Sequence, residues 1–299
     1  MNQKYETTEE TAVLEALSRL FPDSSNTTLR RMLRAGRVQV DGQVVRAARL
    51  ALAPHQILEV VPRSGSSSVA VNKTPDGRPI RVIHEDQHIL LLTKPAGLLT
   101  VATDNMENDT LHSRAQAHVR RRTKSAAAHI VHRLDKRTSG LLVFARSKEA
   151  KWNLQTQFSE RTVQRIYYAL VEGHLQGEGT IHNHLFESRT LQVSECSSGK
   201  PGAREAITQW EAVAVGRNYT LMRLQLSTGR RHQIRVHMAS LGHPVAGDPE
   251  HGAQTDPLNR LALHAWQLGF DHPHSSERQV YESRLPRKFS RLAARKIET

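Results

Sequence analysis

The sequence predicts an α+β fold in two parts. A large domain at 79–299 is expected to carry a central mixed, largely antiparallel sheet flanked by helices. A small α/β domain is expected before it, at 1–62. Three observations lead there. Apolar runs of strand length recur along the chain without a regular strand–helix alternation, which argues against a doubly wound parallel sheet. Residues 63–78, RSGSSSVAVNKTPDGR, are rich in Ser, Gly and polar groups and read as a linker. The length of 299 residues suffices for one large domain and a small one.

In the first part, Thr7 and Glu10 have capping-box spacing, and Val13, Leu14, Leu17 and Leu20 follow at helical intervals. Leu29, Met32 and Leu33 predict a second helix, with Gly36 as its stop. Arg30 and Arg34 share a face of that helix, and Arg37 lies just past its end. Val38 and Val40, then Asp41-Gly42, then Val44 predict a hairpin.

In the second part, Ile80–Ile83 and His88–Leu92 predict strands, the latter closed by Lys94-Pro95-Ala96-Gly97. A basic run follows at 114–124, either a solvated helix face or a contact for a polyanion. Leu141–Ala145 predicts a buried strand. Ser147 then caps a helix whose inner face is Ala150, Leu154 and Phe158. Further strands are expected around 166–171, 207–215 and 221–226, and the last strong apolar run is 261–270.

Lys and Arg number 42 against 29 acidic residues, giving a formal charge of +13 that suits a polyanionic partner such as RNA. No apolar run reaches the roughly 18 residues a membrane span needs. Residues 1–20 lack the pattern of a signal peptide. The single cysteine, Cys196, excludes an internal disulfide framework and has no evident base beside it. A soluble protein of the reducing cytoplasm is expected. The His182/His184 and His272/His274 pairs stand without an HExxH or CxxC pattern, so no metal is expected.

Against this charge the carboxylate in His132-Arg133-Leu134-Asp135-Lys136-Arg137-Thr138-Ser139-Gly140 needs explaining, because it repels phosphate. Nearby cations favour its ionised form, and an ionised Asp135 can act as nucleophile or base. A structural ion pair or a turn cap accounts for the spacing equally well. A second dense stretch, Thr228 to His237, offers Arg230, Arg231, His232, Gln233 and Arg235. Arg235 could hold Asp135 by a bidentate contact, and that pair is expected. The other reading of this stretch is a phosphate-binding patch.

Several motifs in order resemble the RluA-type pseudouridine synthases. They are HRLDKRTSG at 132–140, Glu85-Asp86, KPAGLL at 94–99, YYALVEG at 167–173, TGRRHQIRVHMASLGHPVAGD at 228–248, and Leu263-His264-Ala265. The resemblance spans roughly 80–270. It implies isomerisation of uridine to pseudouridine in RNA, with no cofactor. By the same resemblance Asp135 is the catalytic aspartate, Arg133 displaces the target nucleotide, Tyr167 packs on its base, Arg235 pairs with the aspartate, and Leu263 lines the pocket. His132, Thr138, Arg230, His232 and Gln233 are expected to contact substrate. Residues 1–62 resemble the RNA-binding domain of ribosomal protein S-four type, with Arg30, Arg34 and Arg37 as RNA contacts. Large-subunit ribosomal RNA is the preferred partner, transfer RNA the second, and a monomer is expected. A non-catalytic ribosome-assembly factor and a nucleoside hydrolase are the competing classes. Arg165, Arg231 and His251 stand where this family usually has Lys, Thr and Tyr.

Overall fold

Helical spacing of apolar residues in the first sixty positions needs a surface to cover, and the hairpin beside it supplies one. The computed structural model describes residues 3–22, 24–34, 36–61, 80–103, 107–121, 123–188 and 190–293. The expected linker at 63–78 lies outside them, as does Arg122 of the basic run. The chain divides into two compact units.

The first unit runs β1 (Gln3–Glu6), β2 (Thr11–Ala12), α1 (Val13–Leu20), α2 (Asn26–Arg34), β3 (Val38–Val40), β4 (Gln43–Val44), β5 (Ala51–Leu52) and β6 (Ile57–Val60). Its sheet has the order β1-β6-β3-β4, all antiparallel, and β2 pairs with β5. Val13, Ala16 and Leu17 pack with Leu29, Met32 and Leu33 over Val38, Leu58 and Val60. The hairpin turn is built as expected, with Asp41 and Gly42 both at positive φ. Gly36 also has positive φ and ends α2 through its N–H to the Leu33 carbonyl.

Two details differ from what the sequence predicts. Thr7 caps no helix: the N-cap is Ala12, and the buried Thr7 hydroxyl donates to the Ala53 carbonyl at 2.6 Å. Arg37 is not on the exposed face of Arg30 and Arg34. It is 2% exposed and donates through Nε to the Val61 carbonyl at 3.1 Å.

The second unit runs β7 (Arg81–Glu85), β8 (Ile89–Lys94), α3 (Leu111–Arg120), β9 (His129–Ile130), β10 (Ser139–Ala145), α4 (Lys148–Ser159), β11 (Gln164–Glu172), β12 (Glu178–Glu187), β13 (Val193–Cys196), β14 (Arg204–Val215), β15 (Tyr219–Leu226), α5 (Gln233–Ser240), a 3-10 turn (Pro249–His251), β16 (Leu263–Asp271), β17 (Arg278–Glu282) and α6 (Arg287–Ala293). One sheet has the order β13-β12-β14-β15-β11-β16-β10-β8-β7, with β17 added on β16 and β9 on β10. Every pairing is antiparallel except β10 with β16. The α+β reading with a mixed, largely antiparallel sheet therefore holds.

The continuous apolar runs of β8 and β10 reflect burial on both faces. Leu90, Leu92, Leu142 and Phe144 point into one core with α3, α5 and α6. Ile89, Leu91, Leu141, Val143 and Ala145 point into a second core with Ala150 and Leu154 of α4. Ser147 caps α4 by accepting from the Ala150 N–H at 3.0 Å.

The parallel pairing of β10 and β16 is only two residues long, Ser139 with His264 and Gly140 with Ala265. At Gly140 φ is +120°, and any side chain would collide with the Ala265 backbone. Glycine is required there, at the base of the loop that carries Asp135.

Candidate active site

The Asp135 loop enters β10 through a turn in which the Thr138 N–H donates to the Asp135 carbonyl at 3.1 Å. Three straps hold it. Thr100 Oγ1 donates to the Leu134 carbonyl at 2.7 Å and accepts from the Leu134 N–H at 3.1 Å. Ser139 Oγ lies 2.8 Å from His264 Nδ1 and accepts from Arg260 at 2.7 Å. The fully buried Lys94 donates to the carbonyls of Leu98, Pro95 and Lys136 at 2.7, 3.0 and 3.1 Å. Burial lowers the Lys94 ammonium to about 7, and the Asp135 carboxylate partly opposes that shift.

Above the loop is a cavity of about 280 Å³. All of the sequence-predicted catalytic and substrate residues line it: Asp135, Tyr167, Arg235, Arg133, His132, Thr138, Arg230, His232, Gln233 and Leu263. They arrive from the loop before β10, from β11, from the turn into α5, and from the start of β16. Tyr167 is 9% exposed, and burial is the largest cause of its raised pKa, so the phenol keeps its proton. Burial pushes His132 down to about 3, with Arg165 adding to the shift. His132 is neutral at physiological pH, and its Nε2 accepts from the Val143 N–H at 3.2 Å. Gln233 is fixed on all sides: its Oε1 accepts from Thr228 at 2.8 Å and from the Arg230 N–H at 2.9 Å, and its amide donates to the Ile207 carbonyl at 3.0 Å. It therefore shapes the turn beneath the cavity.

Arg165, which the motifs do not single out as a site residue, also lines the cavity. It sits over the Phe158 ring at 5.4 Å and donates to the Ser227 carbonyl at 3.1 Å.

The expected Asp135–Arg235 pair is not formed. Arg235 holds Asp248 bidentately, Nε to Oδ2 at 2.6 Å and NH2 to Oδ1 at 2.5 Å, and reaches Glu250 at 2.8 Å. Asp135 instead has His232 nearest, Nε2 to Oδ2 at 4.0 Å, and its side chain is 30% exposed. Asp248 is fully buried, so it has greater need of a cation than the partly solvated Asp135.

Residues 88–240 match the sequence profile of the RNA pseudouridylate synthase family. The chain belongs to that family. It is 35% identical over 285 residues to the ribosomal large subunit pseudouridine synthase D of Nitrosomonas europaea, covering 91% of this chain and 80% of the relative. It is 34% identical over 291 residues to the protein of the same name from Pseudomonas aeruginosa, covering 91% and 88%. Among solved structures, human RNA Pseudouridylate Synthase Domain Containing 1 superposes with a TM-score of 0.56 at 26% identity, covering 74% of this chain and 86% of that one. The protein is thus an RNA pseudouridine synthase, an isomerase.

In this synthase the roles that sequence patterns do not reveal are those of groups holding others in place, even where the residue lies inside a motif, as Lys94 and Asp248 do. Lys94 and Thr100 fix the Asp135 loop, and Asp248 and Glu250 fix Arg235. Lys94 is marked in the sequence by its place at the end of an apolar strand and as the first residue of the KPAGLL motif, neither of which shows that it is buried. Arg230 donates through Nε to the Glu205 carbonyl at 2.8 Å. Among the described residues no helix is long and apolar enough to cross a membrane.

Proposed function

We propose that this synthase modifies large-subunit ribosomal RNA, with Asp135 as the catalytic carboxylate. The observation that carries the second part is that Asp135, among the described residues, is the sole acidic residue lining the cavity, together with Tyr167 and with Arg133, Arg165, Arg230 and Arg235. The names of the relatives support the first part, and transfer RNA is the competing substrate.

The chemistry follows from the lining. A uridine must leave its stack to reach Asp135, at a cost of a few kcal/mol. Arg133 is exposed and long enough to occupy the vacated space. The uracil then packs on Tyr167, with Leu263 at the cavity wall. Asp135 acts at the sugar, as nucleophile or as base for a sugar proton. The bond from ribose to ring nitrogen breaks, the uracil turns within the closed space, and ribose joins ring carbon 5. The proton on carbon 5 leaves and the ring nitrogen gains one, so product and substrate have the same composition. Arg30 and Arg34, both exposed on α2, contact the RNA backbone. The domain limits 1–62 and 79–299, a monomeric state and a cytoplasmic location belong to this reading.

The test uses full-length protein with ribosomal and transfer RNA transcripts tritiated at uracil carbon 5. Tritium release from ribosomal transcripts, abolished in Asp135→Asn, is the expected result. Release from transfer RNA alone overturns the substrate. Release by the variant overturns the role of Asp135, and free uracil in the products would indicate a hydrolase.

A further inference from the structure

Beside the cavity, which His232 lines, His232, Glu250 and His251 bring one possible ligand atom each within 4.8 Å of one another. His251 Nε2 lies 3.2 Å from His232 Nδ1, and Glu250 Oε1 lies 3.5 Å from the same Nδ1. With metal–nitrogen bonds of about 2.0–2.1 Å, neighbouring ligands around a tetrahedral ion stand about 3.3 Å apart. Both distances straddle that value. A hydrogen bond between the two imidazoles explains the first contact. The second, at 3.5 Å, is an ion-pair approach rather than a hydrogen bond, so Nδ1 and Oε1 face each other with no proton-mediated contact required between them. A cation between the three serves them all.

The surroundings fit a held site. Arg235 grips the other oxygen of Glu250, Oε2, at 2.8 Å, leaving Oε1 free to face the histidines. Asp248 fixes Arg235 in turn, so the carboxylate ligand has the kind of outer support that metal ligands have. His232 is 8% exposed, so its imidazole is held within the fold. Two imidazoles and one carboxylate suit zinc, cobalt or nickel, and not the hard magnesium ion.

We infer that His232 Nδ1, His251 Nε2 and a Glu250 oxygen bind one divalent transition-metal ion of the zinc class, and that its occupancy inhibits the synthase. The coupling runs through His232. A metal on Nδ1 puts the ring proton on Nε2, the atom 4.0 Å from Asp135 Oδ2. From 4.0 Å that N–H is beyond hydrogen-bond reach, so a rotation of the partly exposed Asp135 side chain toward His232 completes a carboxylate–histidine–metal chain. A carboxylate engaged in that way, beside added positive charge, is a weaker nucleophile and base. The inhibitory half rests on Asp135 being the catalytic carboxylate; the binding half does not.

The experiment takes full-length, chelator-treated protein without RNA. Co²⁺ is titrated in, and its visible d–d absorption reports both occupancy and a tetrahedral field. One Co²⁺ per chain is expected, displaced by Zn²⁺ and untouched by excess Mg²⁺. His251→Tyr, which installs the residue usual in this family, is expected to weaken binding by about 100-fold, the upper end of what losing even an outer partner costs. Glu250→Gln serves as the second variant should His251→Tyr fail to fold. Tritium release is then measured against Zn²⁺. Wild type is expected to lose activity over the concentrations at which Zn²⁺ binds, and His251→Tyr to keep its basal rate without inhibition there. Absence of tetrahedral Co²⁺ bands in wild type, or equal binding by both variants and wild type, overturns the site. Equal Zn²⁺ inhibition of wild type and His251→Tyr overturns the coupling. Should no RNA be modified by the wild type, the reading of Asp135 fails and the Co²⁺ isotherms still decide the site.

Discussion

Asp248→Asn and Asp135→Asn should have opposite signatures, because Arg235 is committed to one carboxylate and not the other. The Arg235 side chain is 4% exposed and that of Asp248 is 0% exposed. Removing one partner of a buried ion pair costs about 3–5 kcal/mol, since the charge left behind is desolvated and unmatched. Glu250 remains 2.8 Å from Arg235 with a side chain 47% exposed, and offsets part of the loss. A net destabilisation of about 2–4 kcal/mol follows. At about 2–4 °C per kcal/mol for a domain of this size, Tm of the catalytic unit should fall by roughly 5–15 °C. Among the described residues Asp135 has no cation nearer than His232 at 4.0 Å, so Asp135→Asn should stay within about 0.5 kcal/mol of wild type while losing tritium release. Calorimetry of the full chain separates the two. Equal destabilisation by both variants would mean that Arg235 pairs with Asp135 in solution, and would refute the assignment of Arg235 to Asp248.

Lys94→Met should lower stability by about 2–4 kcal/mol, because three carbonyls are deprived of a charged donor, and should also cut the rate by displacing the Asp135 loop; urea unfolding and tritium release measure both, and a stable, fully active variant would contradict the strap. Burial lowers His237 and His264 to about 4, against about 6.5 in an unfolded chain. Their folded pKa values are depressed, so their stabilisation is complete above pH 6.5 and is lost as pH falls toward 4. At pH 5 each should cost about 1–2 kcal/mol, visible as a lower urea midpoint than at pH 7. Converting Arg30 and Arg34 together to Gln should reduce the slope of log affinity against log salt by roughly 0.7–0.9 for each phosphate that is no longer neutralised, as read by filter binding across salt concentrations. Arg37→Gln should act on stability instead, since Arg37 is inside the small unit.

The sheet was legible where burial is two-sided. β8 and β10 are apolar at every position from Ile89 to Leu92 and from Leu141 to Ala145, and such runs say strand whatever their neighbours do. β12 escaped notice because its few apolar residues, Ile181, Leu185 and Phe186, are set among polar ones, and all but Leu185 are exposed or half-buried, so the alternation is weak in the sequence. The cavity was legible through its motifs, because each motif is a short segment that delivers its residues to one place. Pairings were not. Three acids, Asp135, Asp248 and Glu250, could each have served Arg235, and only burial and distance choose among them. Lys94 reads as punctuation, since hydropathy places a lysine outside and a fully buried one is visible only when its three carbonyl partners are. Thr7 and Arg37 failed for a similar reason: both have the spacing of a surface role, and both face inward.

The missing Asp135–Arg235 pair bears on reactivity. A carboxylate gripped bidentately has its lone pairs engaged and its charge neutralised, which suits structure and opposes attack on a sugar. Asp248 is in that state. Asp135 has the contrary setting: partly solvated, held by its backbone through Thr138, Thr100 and Lys94, and without an ion pair closer than 4.0 Å among the described residues. Position is fixed by main-chain contacts, so the side chain needs no fixed partner to stay in place. Asp248 and Glu250 engage the Arg235 guanidinium, and Arg133, Arg165 and Arg230 line the same cavity as Asp135 with charge that suits an anionic strand. The basic surface and the partly solvated carboxylate are thus compatible, since the buried Arg235 is matched by Asp248 and Asp135 is held through its backbone neighbours.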